Sequence, residues 1–431
     1  MLAPMPKPPF RRVPRPSFNA LAALAPWIWA CGSNGSGDLD GGSGDGFGSV
    51  DASLVDGAPA DTDGDGISDA DEGRFDPAGP RDTDDDGTPD YQDPDSDNDG
   101  MPDADEGHGD FDGDGVPNSE DPLNDGPAPA ILLTAISTTF NSPIGIDYHE
   151  PTNSVVMSVN YSAGTPLNFE RIEADGSHEP FSTFSGLTDE VKIATARSGN
   201  PGGFAVGDLF VGNGVDGQIA RITDGGATIV NPWVDLPGES NGLMRGGLYI
   251  DRTGVFAGDL IAVTTLGQVW RITAAAQPTL LAAVGVHLEG VIVVPDAPAR
   301  FGPIAGKIIA GAEAQGLLHA FAANGSDVTY SLGVNVEDID YISPKENFFG
   351  VNYGTSRLLG AAASDFEPMI GDVMLTQEGV TAPTSGLFRL RWDGVALSAE
   401  PIPLAAGSAT VGQWEHTTMA PAGIVEIPPI P

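Results

Sequence analysis

GLYIDRTGVFAGDLIAVTTLGQVWRITAAAQPTLLAAV, residues 247–284, holds every kind of segment that recurs through residues 130–431. Four apolar runs stand in it: GLYID from Gly247, GDLIAV from Gly258, QVWRITA from Gln268 and PTLLAAV from Pro278. Each is short, bounded by turn formers and rich in β-branched or aromatic residues, so each reads as a strand. The second run recurs as SVVMSV (Ser154), GDLFVG (Gly207), GKIIAG (Gly306), NFFGVN (Asn347) and GDVMLT (Gly371). The third recurs as FERIEADG (Phe169), QIARITDG (Gln218), LLHAFAANG (Leu317), RLLGAAA (Arg357) and LFRLRWDG (Leu387). The first recurs upstream as GIDYHEP (Gly145), VKIATA (Val191), GVIVVP (Gly290) and IDYIS (Ile339), and once more as TTMAPAG (Thr417) near the C-terminus. Weaker fourth runs are EPFSTF, TIVNPWV, VTYSLG and SAEPIPL.

Six copies of such a unit predict an all-β fold, a six-bladed β-propeller over residues 130–431. Chain order places IDYIS with NFFGVN. The terminal TTMAPAG then completes a blade begun elsewhere, which closes the ring and removes exposed sheet edges. A pair of β-sandwiches lacks this sixfold period. The pattern resembles the six-bladed propellers that include gluconolactonase and regucalcin-like hydrolases, NHL repeats and sugar dehydrogenases.

Aligning the first runs by their apolar cores puts Ile144, Glu190, Arg245, Glu289, Glu337 and Glu415 in one column, with Asp189, Asp338 and His416 beside it. In a ring, one column is one level of the central channel. Carboxylates that close raise each other's pKa or recruit a cation. The gluconolactonase resemblance implies a catalytic divalent metal there, with Glu190, Glu289, Glu337 and Glu415 as ligands and Arg245 as an anion clamp. The column departs from that pattern in having no Asn. A polar, water-filled mouth is the plainer reading of the same residues.

Ahead of the propeller, residues 61–126 repeat a different motif: DTDGDGISDADE, DTDDDGTPDYQD, DSDNDGMPDADE and DFDGDGVPNSED. Acids stand at positions 1, 3 and 5, Gly at 6, an acid or Asn at 9 and an acid at 12. The sets are Asp61, Asp63, Asp65, Asp69, Glu72; Asp82, Asp84, Asp86, Asp90, Asp93; Asp95, Asp97, Asp99, Asp103, Glu106; and Asp110, Asp112, Asp114, Asn118, Asp121. This is the oxygen-ligand spacing of a calcium loop. The loops follow too closely for flanking helices, and Pro89, Pro102 and Pro117 stand at position 8. The stretch resembles a run of thrombospondin type 3 repeats, which implies chain wrapped around calcium ions. From Asp61 to Asp125 there are 25 acids against Arg74 and Arg81, a net charge of −23. Without counter-ions such a segment repels itself, and metal binding becomes its folding energy.

The N-terminus reads as an export signal, residues 1–31. Lys7, Arg11, Arg12 and Arg15 precede the apolar LAALAPWIWA, which is too short to span a bilayer. Ile28-Trp29-Ala30-Cys31 resembles a bacterial lipobox, implying lipidation of Cys31, the sole cysteine. Its departures are the bulky Trp29 and Pro26 within the apolar run. The Gly/Ser/Asp-rich residues 32–60 form a tether. A net charge of −42 argues against nucleic acid and anionic membrane surfaces, leaving the lipid anchor as the membrane contact. No nucleophile elbow, phosphate loop or HExxH pair is present. The expectation is an exported calcium-binding surface protein, lipid-anchored or, if Cys31 is incidental to an ordinary secretory signal, secreted, whose propeller binds a protein or glycan or serves only as a structural spacer. The alternative is a metal-dependent hydrolase or lactonase in the channel.

Overall fold

Six four-stranded antiparallel sheets surround one channel. The computed structural model describes residues 59–123, 126–138, 140–160, 167–187, 189–379 and 385–427; the signal segment, Cys31 and the tether to Ala58 lie outside them. The innermost strands, in ring order, are Ile146–His149, Ile193–Thr195, Gly247–Ile250, Glu289–Val293, Val336–Tyr341 and Trp414–Pro421, and they define blades one to six. The second strands are buried along their whole length, for instance Leu209–Gly212, Leu260–Val263 and Ile308–Ala312. Neighbouring blades cover both their faces, which is why these runs are continuously apolar and do not alternate. The outer strands, such as Thr228–Asp235 and Leu397–Pro401, are largely solvent-facing. Six apolar clusters fill the six contacts between blades. Phe210, Leu260 and Trp270 mark that between blades two and three, and Ile309, Leu375 and Leu390 that between four and five.

Two pairings correct the sequence-based order. The inner strand Val336–Tyr341, which contains the first three residues of IDYIS, pairs with Val373–Gln377, not with the next segment Glu346–Asn352. That next segment leaves for blade six, where it pairs with Arg357–Ala361 and with the terminal Trp414–Pro421. Blades five and six are thus interleaved. The outer strand of blade six is Thr134–Thr138, which the sequence pattern missed. The ring is closed twice: by the N-terminal strand outside and the C-terminal strand inside.

The acidic segment contains little regular structure. Single helical turns at Asp90–Gln92, Asp103–Glu106 and Asn118–Glu120 follow directly on the position-8 prolines, whose extended φ and ψ suit the residue before a turn. Among the described residues no helix is long and apolar enough to cross a membrane.

Candidate functional site

Four glutamates of the sequence column do meet at one end of the channel, where the inner strands begin. Glycine follows the column residue in three blades, as Gly145, Gly246 and Gly290. A Cβ on Gly246 would lie 1.6 Å from the Leu288 carbonyl oxygen, and one on Gly145 2.5 Å from that of Val191. These close approaches draw adjacent inner strands together and tighten the ring.

At its centre is a residue that the column reading passed over. Lys192, in the inner run of blade two, is fully buried. Its Nζ lies 3.0 Å from Glu337 Oε1 and 3.8 Å from Asp338 Oδ1, and donates to the Glu337 carbonyl at 2.8 Å. Arg245, read from sequence as an anion clamp, pairs with Asp189 at 2.5 Å, with over a third of its side chain exposed. A guanidinium in so short a ring reaches water at the rim, whereas an ammonium on a slender stem fits the centre. The signal was a lone lysine between Val191 and Ile193 in a chain with only 19 basic residues.

Burial perturbs the remaining acids. Burial, reinforced by the Glu337 charge, pushes Glu190 up to about 7 and Glu289 up to about 10. The same two causes lift Glu415 well above the usual carboxylate range. Burial lowers His416, whose Nδ1 accepts the Ile146 N–H at 3.1 Å, so the ring is neutral. Asp338 Oδ2 accepts the Thr417 N–H at 2.7 Å. Deeper in the channel Arg197 joins three blades, reaching Asp147 at 3.0 Å, Glu346 at 3.2 Å and the Met419 carbonyl at 2.8 Å.

The acidic loops share a local hydrogen-bond pattern. The position-5 N–H donates to the position-3 carboxylate, at 2.9 Å for Asp86 onto Asp84 and 3.0 Å for Asp99 onto Asp97. The position-7 N–H donates to position 5, as from Met101 onto Asp99 at 2.7 Å. Gly66, Gly87, Gly100 and Gly115 all have φ between +94° and +101°, which only glycine adopts without strain. Oxygens of positions 1, 3 and 5 lie within 4.8 Å of one another in every loop. Position 9 acts as a brace. Asp90 accepts the Thr83 N–H and hydroxyl, both at 2.8 Å, and Asp103 those of Ser96 at 3.0 and 2.7 Å. Asp69 accepts from Thr62 and Asn118 from the Phe111 N–H. Position 12 divides. Asp93 and Asp121 accept N–H groups of Asp95 and Leu123. Glu72 and Glu106 are buried at the clusters, and burial with nearby aspartates pushes them up to about 8 and about 10. Asp65, Glu72 and Asp103 also converge, linking the first and third loops. Buried oxygens of Asp63, Asp65, Glu72, Asp82, Asp95, Asp97 and Glu106 have no hydrogen-bond partner. A set of hard oxygens so arranged can hold a hard cation.

Fold and sites together define a six-bladed β-propeller that carries a segment of four acidic turn loops. No family model matches the chain, and no curated protein does. Among solved structures it is similar to a virginiamycin B lyase from Staphylococcus aureus, at 14% identity over 65% of this chain and 91% of that one, TM-score 0.38. A gluconolactonase from Xanthomonas campestris matches at 12% identity over 55% and 95%, TM-score 0.31. An auxiliary nutrient-binding protein from Bacteroides thetaiotaomicron matches at 10% identity over 51% and 58%, TM-score 0.35. These are likenesses of fold, and no activity is taken from them.

Proposed function

We propose that the chain is an exported, lipid-anchored surface protein whose loops bind calcium and whose propeller binds a partner without channel chemistry. The observation that supports this is Lys192. A catalytic metal in the channel would need open carboxylate ligands, and here the Lys192 ammonium lies 3.0 Å from Glu337 Oε1 and 3.8 Å from Asp338 Oδ1. Four glutamates around a lysine do not fit a Lewis-acid site. The acidic loops do fit calcium: their orphaned, buried carboxylate oxygens form a hard, multidentate set on a tight turn.

A glycan suits a cavity of about 460 Å³ where inner strands three to five end. Tyr249 and Tyr341 line it with aromatic side chains, and Arg252, Asp296, Thr253 and Ser343 line it with polar groups for hydroxyls. Saturation-transfer NMR of the mature chain against neutral oligosaccharides should show contact that Tyr249→Ala abolishes. Metal-dependent hydrolysis of a sugar lactone that is lost in Glu337→Gln would overturn this reading and restore the hydrolase. Cys31→Ser should release the protein from membranes with its propeller intact. A wild type found wholly soluble in the medium would remove the anchor.

A further inference from the structure

The third acidic loop, Asp95–Glu106, differs from the other three. At positions 3 and 5 Asp97 and Asp99 are buried, whereas Asp86 and Asp114 at position 5 of the second and fourth loops are exposed. The propeller is what covers it. Gly100 lies against Pro295 and Ala297 of blade four, and Met101 is buried. Lys345, on the crossing from blade five to six, pairs with Asp105 at 2.6 Å.

At the centre of this contact is Arg300, in the short helix Pro298–Phe301 of blade four, with its side chain 5% exposed. Its guanidinium pairs with Asp99, lies 3.5 Å from Glu106 Oε1 and 3.5 Å from Asp372 Oδ1 of blade five, and donates to the Ile370 carbonyl. Position 5 and position 12 of one loop are therefore both turned toward a propeller cation. The loop's inner oxygens remain. Those of Asp95, Asp97 and Asp99 converge, and Asp95 Oδ1, Asp97 Oδ2 and Glu106 Oε2 are buried without a hydrogen-bond partner.

The charges decide what is missing. Asp95, Asp97, Asp99 and Glu106 carry four negative charges when ionised, and Arg300 offsets at most one of them while also serving Asp372. Uncompensated buried carboxylates are strongly destabilising. A divalent cation on the inner oxygens leaves a single charge at a partly solvated edge. We propose that a divalent cation held by Asp95, Asp97, Asp99 and Glu106 acts with Arg300 as a two-part lock, which holds the acidic segment on the propeller. This rests on reading the loops as calcium sites. It adds that one of the four sites governs docking and that the others load independently of it. The same lock fixes the wall that Gly100 contributes to the cavity beside Tyr249.

The test is hydrogen–deuterium exchange on the full mature chain, in 5 mM calcium chloride (about five times the weakest dissociation constant of extracellular sites) or in chelator, with native mass spectrometry counting bound ions. In the wild type, calcium should slow exchange of peptides covering 95–106 and 298–301 at least tenfold, and chelator should reverse this. Asp97→Asn should exchange as the chelated wild type does, even in calcium. Arg300→Gln should do the same while its blade-two and blade-three peptides stay protected, which separates undocking from misfolding. Asp114→Asn, in the fourth loop, should lose one ion and leave 298–301 protected. If ions load but 298–301 exchanges alike with and without them, the lock is wrong and the calcium loops stand. If no ions bind, both readings fall.

Discussion

The channel ring and the acidic loops pose the same electrostatic problem and solve it differently. Each gathers carboxylates within a few ångströms and hides several from water. In the ring the chain brings its own cation, Lys192, whose Nζ lies 3.0 Å from Glu337 Oε1. In the loops nearby basic residues are few, and inner oxygens of all but the fourth loop are left buried without a partner. The ring meets an internal ammonium, whereas the metal proposed for the loops would be what meets their orphaned oxygens. The difference teaches that acidic residues alone do not identify a cation site. Their hydrogen-bond satisfaction does.

The comparison breaks most sharply at Lys192. Lys192→Met should cost about 3–5 kcal/mol, the usual effect of removing one partner of a buried ion pair, read as a lowered denaturation midpoint at pH 7. A variant as stable as wild type would mean that the ring needs no internal cation.

Calcium supplies the next test. At ten times the dissociation constant, one bound ion should stabilise the loops by about 1.4 kcal/mol, and the affinity should be about 0.1–1 mM, as in extracellular modules. Limited proteolysis between residues 61 and 121 should slow accordingly. Equal digestion in calcium and in chelator would refute the loop assignment.

Gly66→Ala is the third. Nothing lies within 4 Å of the added Cβ, so its cost is backbone strain at φ +101° alone, about 1 kcal/mol. Calcium affinity of the first loop should fall about fivefold by titration calorimetry. An unchanged affinity would mean that the loop does not need this turn to bind.

Glu289→Gln should have the smallest effect, under about 0.5 kcal/mol at pH 7, because an amide replaces an acid that is already protonated. The pH profile is more telling. A carboxyl raised from an ordinary value near 4.5 to about 10 binds its proton more tightly in the folded state. Stability therefore falls as pH rises between those values. Denaturation midpoints in saturating calcium should show that decline in the wild type and a flatter line in the variant. An identical slope would place the titrating proton elsewhere.

Much of this was legible before any coordinates. The strand runs were, because short apolar segments between turn formers have few other uses. The glutamate column was too, since sixfold repetition converts a sequence offset into a channel level. The interleaving of blades five and six was not. IDYIS is followed by two eligible partners, NFFGVN and GDVMLT, and chain order favours the wrong one. Side-chain packing across the blade interface, with Phe348, Met374 and Trp414 in one cluster, goes with the observed pairing. Thr134–Thr138 was missed because a lone outer strand has no local partner to reveal it.

By itself, the sequence determined what closes over short distances. A twelve-residue loop directs its own acids inward through hydrogen bonds two to seven residues long, and its glycine is required by a single φ. What only the tertiary structure decided is which charges meet. Lys192 and Glu337 are 145 residues apart, and Arg300 and Asp99 are 201 apart. No local pattern records such a pairing, because it exists only once the ring has closed and water has been excluded from both partners.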